Sequence, residues 1–96
     1  MAIVIKSVPC FLLRLYIAGN SPNSVRAVAN ANALCEEHLR FKYKLEVVDL
    51  LKYPQRANDD AVVVTPTLIR VRPLPVQRVI GNLSDEVEVL LALRRR

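Results

Sequence analysis

The sequence predicts one α/β domain with a single mixed four-stranded sheet flanked by helices. The chain has 96 residues, of which 52% are hydrophobic and only two are Gly, and this suits a single domain with a modest core. Strand-like and helix-like patterns follow one another in the order β-α-β, weak helix, β-β-α. A β-α-β unit joins parallel strands through a right-handed crossover, and the hairpin and terminal helix then complete the sheet.

Near the start of the chain, the sequence predicts a strand and then a tight turn that leads into the first helix. Residues 1–9 are expected to be a lead-in, and residues 10–18 are apolar at nearly every position, as in a central strand. Gly19 can adopt the positive φ of a tight turn. Ser21 is expected to cap the first helix, and Pro22 suits its first position because the missing N–H is not needed there.

The first helix is predicted over residues 22–39, the second strand over residues 43–51 and a short helix or helical turn over residues 54–61. The first helix is expected to bury a stripe made of Val25, Val28, Ala29 or Ala31, Cys35 and Leu39, with Ala27 and Leu34 at its edge.

The last third predicts a hairpin and a final helix. Because Pro66 cannot donate a ladder hydrogen bond, the third strand should begin near Thr67 and run to residue 72. A stiff turn at residues 73–75 leads to an antiparallel strand over residues 76–81. Ser84 is expected to cap the final helix, with the Arg94–Arg96 cluster in its last turn. Its helically spaced positions are Val87, Leu90, Leu91, and Leu93 or Arg94.

This order of elements is that of the thioredoxin-like fold, whose redox enzymes carry Cys-x-x-Cys where the first strand meets the first helix. The corresponding residues here are Asn20-Ser21-Pro22-Asn23, so that position has no thiol. Cys10 and Cys35 are predicted to be small buried hydrophobic residues, and a disulfide between them would need Cα atoms within about 7 Å. The Thr65–Pro66 bond is expected to be cis. With one His and no Gly-rich phosphate loop, we predict no metal site and no cofactor.

Charge and hydropathy exclude some classes of partner. The net charge is +5, but Arg94–Arg96 supply three of these charges, so a solvated helix end is favoured over a nucleic-acid contact. Asp59 and Asp60 are expected in a solvated acidic turn. The sequence shows no basic leader, and its apolar runs are all shorter than the ~20 residues that a membrane span needs. A cytoplasmic protein is therefore expected.

Four segments together resemble the signature of the KaiB family, and the resemblance runs from about residue 11 to residue 93. They are residues Leu15–Ala27, Val48–Gln55, Val64–Leu68 and Pro73–Ser84. The resemblance implies a non-catalytic regulator that docks on a KaiC-type hexameric ATPase and modulates its phosphorylation or ATPase state. It also implies KaiA-like or sensor-kinase proteins as further partners, in a circadian clock or in clock-related stress signalling.

The resemblance further implies two possible folds, a thioredoxin-like form and a tetrameric form in which the C-terminal third pairs differently. Ala92 and Arg94 stand where clock members tend to have Gly and Asp. Gly to Ala favours helix by roughly 1 kcal/mol, and a cation suits a helix C-terminus. We therefore expect the thioredoxin-like form as a monomer or homodimer, with the tetramer as the alternative. Gly19, Pro22 and Pro66 are the other expected determinants of the fold.

Partner contacts are predicted for exposed aromatic, long polar and basic side chains, which are common anchors at interfaces. The candidates are Arg26, Lys42, Lys52, Tyr53, Gln55 and Arg78, with Lys44 and Arg70 as further basic residues. Two other functions stay open from the residues alone. One is a divergent thiol-redox protein that uses Cys35 or Cys10, and the other is a nucleic-acid binder that uses the terminal arginines.

Overall fold

The computed structural model describes residues 11–40 and 42–96. Its elements are β1 (Phe11–Ile17), α1 (Pro22–His38), β2 (Tyr43–Asp49), a 3-10 helix (Pro54–Asn58), β3 (Thr67–Arg72), β4 (Gln77–Ile80) and α2 (Glu86–Leu93). This is the predicted order, with ends that differ from the predictions by a few residues at most. The expected lead-in at residues 1–9 and the predicted burial of Cys10 lie outside the described residues.

The four strands form one mixed sheet in the order β2-β1-β3-β4. β1 pairs in parallel with β2, where Leu15 lies opposite Val47, and antiparallel with β3, where Leu15 lies opposite Leu68. β3 and β4 form the predicted hairpin. The Thr65–Pro66 bond is cis, as expected, and the bonds before Pro73 and Pro75 are also cis.

The main core lies between one face of the sheet and both helices. Alternate side chains of β1 at Leu13, Leu15 and Ile17 pack with buried residues of α1 and α2. The 3-10 helix and the loop after it cover the other face, where Tyr16 and Ile69 belong to a second, smaller cluster. Neither α1 nor α2, the two α-helices within residues 11–40 and 42–96, has the length and hydropathy of a membrane span.

The buried stripe of α1 confirms the prediction for Ala31, Cys35 and Leu39, which are all buried. Val25 is 54% exposed, so its inclusion was wrong, and Ala29, the alternative to Ala31, is exposed as well. The buried residues of the helix are Ser24, Ala27, Ala31, Leu34 and Cys35. These positions repeat at the three- and four-residue spacing of one helical face, and Ala27 and Leu34, which were expected only at its edge, are fully part of it.

α2 confirms a helical C-terminal segment but begins and ends differently from the prediction. Its cap is Asp85, whose Oδ1 accepts a hydrogen bond of 3.1 Å from the Glu88 N–H, so assigning the cap to Ser84 was wrong. Arg94 is the C-cap and no basic residue lies in the last turn, because the helix ends at Leu93. The residues that it buries are Val89, Ala92 and Leu93, whereas Val87 and Leu91 are exposed.

Arg70 is a structural residue, and its prediction as a partner contact was wrong. Its side chain is only 2% exposed, because it follows Leu68 on the face of β3 that packs against the helices. The guanidinium donates to the carbonyl of Leu93 at 2.6 Å and to the carbonyl of Pro75 at 2.6 Å. It therefore joins β3 both to the end of α2 and to the turn before β4.

Asp60 is the centre of a polar network on the second face of the sheet, so the expectation of a solvated turn was wrong for this residue. Its Oδ2 accepts hydrogen bonds from the Tyr16 hydroxyl at 2.6 Å and from Arg14 at 3.2 Å. Its backbone carbonyl accepts a third from Arg78 at 2.6 Å. Burial, together with the Asp60 carboxylate, raises the pKa of Tyr16 to about 12.

Candidate functional site

The turn after β1 and the first residues of α1, residues 18–24 together, are called the corner below. Hydrogen bonds to an aspartate join the corner to the end of β2. Gly19 has a φ of +58°, as its prediction as a turn residue required. Asp49 Oδ1 accepts hydrogen bonds from the Gly19 N–H at 2.9 Å and from the Leu51 N–H at 3.0 Å. These two bonds, with a smaller contribution from the Lys52 charge, lower the pKa of Asp49. The two loops at this end of the sheet are therefore held against each other.

Serine hydroxyl groups close the amino end of α1. Ser21 is the N-cap, and its Oγ accepts a hydrogen bond of 3.3 Å from the Ser24 N–H. The Ser21 hydroxyl lies 2.7 Å from Ser24 Oγ, which also accepts the Ala18 N–H at 3.0 Å. Pro22 begins the helix, as predicted. Hydroxyl groups and backbone donors thus bond one another at the position where a thioredoxin-like enzyme keeps its attacking thiol.

Cys35 lies far along α1 from this corner and is 1% exposed. Burial raises the pKa of its thiol to about 11. A thiol reacts as the thiolate, so a raised pKa and a closed environment both oppose nucleophilic chemistry at neutral pH. The structure confirms the predicted burial of Cys35.

A groove of about 360 Å³ opens beside the corner, and sequence reasoning missed it. Its walls come from the end of β1, the turn and the first two turns of α1, and are formed by Ile17, Gly19, Asn20, Ser24, Val25, Val28 and Ala29. Val25 and Ala29 belong to it because they lie outside the stripe that faces the sheet. Their four-residue spacing was the available signal, since two apolar residues one turn apart can line a surface as well as a core.

Four of the six predicted partner contacts lie at the corner end of the sheet. Arg26 is exposed early in α1, and Lys52, Tyr53 and Gln55 are exposed in the segment after β2. The corner and this segment are neighbours because Asp49 bonds to both Gly19 and Leu51.

The other two candidates lie elsewhere. Lys42 precedes β2 at the opposite end of the sheet, where its carbonyl accepts the Phe11 N–H at 2.9 Å. Arg78 is exposed on β4, but its guanidinium is bonded to the Asp60 carbonyl on the second face.

Large apolar side chains are also exposed at the corner end. Leu51 and Tyr53 are 72% and 53% exposed, and Val64 immediately precedes the Thr65–Pro66 bond. Ile80, also exposed, pairs with Thr67, which in turn pairs with Tyr16 near the end of β1. A partially apolar surface with basic residues nearby is therefore available to another protein.

One group of metal-binding side-chain types is found among residues 11–40 and 42–96. His38 Nε2 lies 2.6 Å from a Glu86 carboxylate oxygen, and Glu37 completes a group whose donor atoms lie within 4.8 Å of one another. The 2.6 Å contact is a hydrogen-bonding distance between the end of α1 and the start of α2, and the two carboxylates are exposed. We assign this group a role in joining the helices.

Comparison with known proteins gives relatives for nearly the whole described chain. A family model described as the KaiB domain matches residues 14–95. The circadian clock oscillator protein KaiB of Synechococcus elongatus is 49% identical over 83 residues, which cover 86% of this chain and 81% of that protein. The circadian clock protein KaiB3 of a Synechocystis strain is 49% identical over 82 residues, which cover 85% of this chain and 80% of that protein.

Solved structures show the same fold at lower identity. The N-terminal domain of Synechococcus elongatus SasA has a TM-score of 0.72 at 22% identity, covering 95% of this chain and 89% of that one. Fasciola hepatica thioredoxin has a TM-score of 0.71 at 14% identity, and the likeness covers 91% of this chain and 83% of that one. These two likenesses establish a thioredoxin-like fold. The family model over residues 14–95 and the 49% identity to a curated KaiB protein show that this chain belongs to the KaiB family.

Proposed function

We propose that this protein is a non-catalytic clock regulator of the KaiB type, which acts in the cytoplasm by docking on a KaiC-type hexameric ATPase and modulating its phosphorylation or ATPase state. The observation that carries the proposal is the 49% identity, over most of both chains, to proteins named circadian clock oscillator proteins. The corner is consistent with it, because a thiol-free turn closed by serine hydroxyl groups leaves the surface as the functional part.

The corner end of the sheet is the docking surface that we favour. Its groove beside Val25 and its exposed Leu51 and Tyr53 offer apolar area, which supplies most of the free energy of association. Arg26 and Lys52 add positive charge near that area and suit a partner with acidic residues around its own apolar patch. Tyr53 is the anchor we expect to contribute most, because half-exposed aromatic side chains bury a large area on binding.

The binding test uses the full chain, a KaiC-type ATPase from the same organism, ATP and size-exclusion chromatography. Tyr53→Ala should weaken the complex about tenfold or more, as loss of a central aromatic contact does. Leu91→Ala is the matched control, since it also truncates a large exposed side chain but lies on α2. Absence of any complex at roughly 50 µM of each protein would contradict the proposal. Equal effects of the two variants would contradict the choice of surface.

A thiol-reduction assay separates this function from the thiol-redox alternative. Because Cys35 is buried and its thiol pKa is raised, we expect no insulin reduction above the uncatalysed rate. Activity that disappears in a Cys35→Ser variant would overturn the non-catalytic assignment. Activity that disappears in Cys10→Ser would overturn it equally.

For the assembly we propose a monomer or homodimer with sensor-kinase or KaiA-like proteins as further partners. The helical state of residues 86–93 supports this, because the resemblance associates the tetramer with a different pairing of the C-terminal third. The mass in solution, measured by light scattering against the monomer mass of 10.8 kDa, tests the proposal. A tetrameric mass would contradict it.

A further inference from the structure

A second cavity, of about 400 Å³, lies at the amino end of β1, at the opposite end of that strand from the corner. Its lining contains Arg70 and the Arg94–Arg96 cluster, and the rest of the wall is apolar and includes Phe11 and Leu93. Sequence reasoning assigned the terminal arginines to a solvated helix end. Arg94, Arg95 and Arg96 are exposed, in agreement with that expectation, and together with the buried Arg70 they line one concave surface.

This cavity, called the arginine cavity below, has no acidic residue in its lining. The ion pairs found among residues 11–40 and 42–96 use Arg14, His38 and Arg56 as their cationic partners and none of these four arginines. Four like charges that share one concave surface raise the electrostatic potential there and attract counter-ions. The cavity therefore has the charge of an anion-binding site.

Arg70 is the innermost of these charges. Its two terminal nitrogens donate to the carbonyls of Leu93 and Pro75, and its Nε has no hydrogen-bond partner among the described residues. A guanidinium at 2% exposure has lost most of its hydration, and two neutral carbonyls do not supply a countercharge. An anion in the adjoining cavity would supply it.

We propose that the arginine cavity binds a compact phosphate-bearing anion, such as a diphosphate or the phosphate chain of a nucleotide. Guanidinium groups bind phosphate oxygens through paired, charge-assisted hydrogen bonds. The volume falls within the usual range of small-molecule sites, roughly 300–1,000 Å³. A highly charged anion matches four cations better than a single carboxylate does. This site is separate from the proposed partner surface and does not depend on it.

Binding at this site is coupled to the docking of α2. Arg70 holds the carbonyl of Leu93, the last residue of the helix, and Arg94 is its C-cap. A ligand that needs these arginines together binds only when α2 is packed on the sheet, so it stabilises that arrangement by mass action. We therefore expect pyrophosphate to raise the melting temperature of the full chain.

The direct test is calorimetric titration of the full chain with pyrophosphate at constant ionic strength. Arg95→Gln combined with Arg96→Gln should weaken binding about tenfold or more, since each removes charge-assisted hydrogen bonds. Both residues are exposed and Arg94 is retained as the C-cap, so the variant should fold. The matched control, Arg26→Gln with Lys52→Gln, removes the same charge at the corner end and should change affinity by less than about twofold.

Further titrations identify which part of a phosphate-bearing ligand the cavity binds. ATP should compete with pyrophosphate and adenosine should not, because the site binds phosphate oxygens. No binding by the unaltered chain, or equal losses in the two double variants, would overturn the proposal, the latter by showing attraction to net charge alone. A short oligonucleotide that binds more tightly than pyrophosphate, with a steep dependence on salt, would also overturn it in favour of a nucleic-acid surface.

Discussion

Among single residues, Gly19 combines a required backbone angle with a close neighbour. Its φ is +58°, and a Cβ added there would lie 2.7 Å from Leu51 Cδ1. Left-handed backbone costs an L-residue roughly 1–2 kcal/mol, and the Leu51 side chain would also have to move. Gly19→Ala should therefore lower the free energy of unfolding by about 1–2 kcal/mol, measured by urea denaturation.

A second variant separates the two causes of that loss. Leu51→Ala in the Gly19→Ala background removes the contact but leaves the backbone angle unchanged. The double variant should recover the part of the loss that is due to crowding, and no more. A Gly19→Ala protein as stable as the unaltered chain would show that the turn adapts.

At the scale of single residues, the sequence alone was enough to predict the geometry of the corner. It was not enough to predict the two cavities. The turn at Gly19, the Ser21 cap and Pro22 could be predicted because their backbone requirements are local. Arg70 could not, because a charged side chain is expected to face solvent and only the packing of β3 against α2 places it inside. The arginine cavity depends on that packing and was missed with it.

Among the elements, α2 gives a direct test of which residue caps its amino end. Asp85 accepts the Glu88 N–H, whereas Ser84 is exposed and lies one residue before the cap. Asp85→Ala should lower the free energy of unfolding by about 1 kcal/mol, and Ser84→Ala should change it by much less. Urea denaturation of both variants measures the difference, and a larger loss from Ser84→Ala would contradict the observed cap.

α2 also carries the two residues expected to favour the thioredoxin-like form. Ala92→Gly should cost about 1 kcal/mol of helix stability, and Arg94→Asp about 0.3–1 kcal/mol more, because a negative charge at a helix C-terminus is unfavourable. The double variant should lose helical circular dichroism and shift toward a larger mass by light scattering. Unchanged spectra and mass would show that the sheet holds α2 in place regardless of its propensity.

The helices show why some boundaries and faces could not be predicted. α1 has apolar residues on more than one side, so periodicity located the helix but not which stripe meets the sheet. Val25 was assigned to the buried stripe of α1 and Val87 to the helically spaced positions of α2, and both are exposed. The strands were predicted more closely, because Pro66 and the turn after residue 72 mark their ends by local chemistry.

In the whole molecule, the two faces of the sheet are held in different ways. One has the larger apolar core beneath both helices, and the other has a small cluster closed by Asp60 and its three hydrogen bonds. These bonds tie β1 and β4 to the loop that precedes β3. The second face should therefore be sensitive to the protonation of its polar groups.

Alkaline pH tests this sensitivity through Tyr16. Its pKa is raised from about 10 to about 12, so the folded chain holds this proton more tightly than the unfolded chain does. The resulting stabilisation is fully present below about pH 10 and is lost as the pH rises toward about 12. The stability difference between the unaltered chain and Tyr16→Phe should therefore shrink over this interval, measured by urea denaturation. Tyr53→Phe is the control, because Tyr53 is exposed. If the stability difference shrank equally for both variants as the pH rises, the role of Asp60 would be contradicted.

The capped corner has a consequence for how this scaffold relates to electron-transfer proteins that share its fold. Its backbone forms a tight turn at Gly19 and begins α1 at Pro22, and Asn20 and Asn23 stand at the two positions where a redox enzyme of this fold has its thiols. In this architecture, the presence or absence of a dithiol at the start of α1 therefore depends on two side chains and not on the backbone around them.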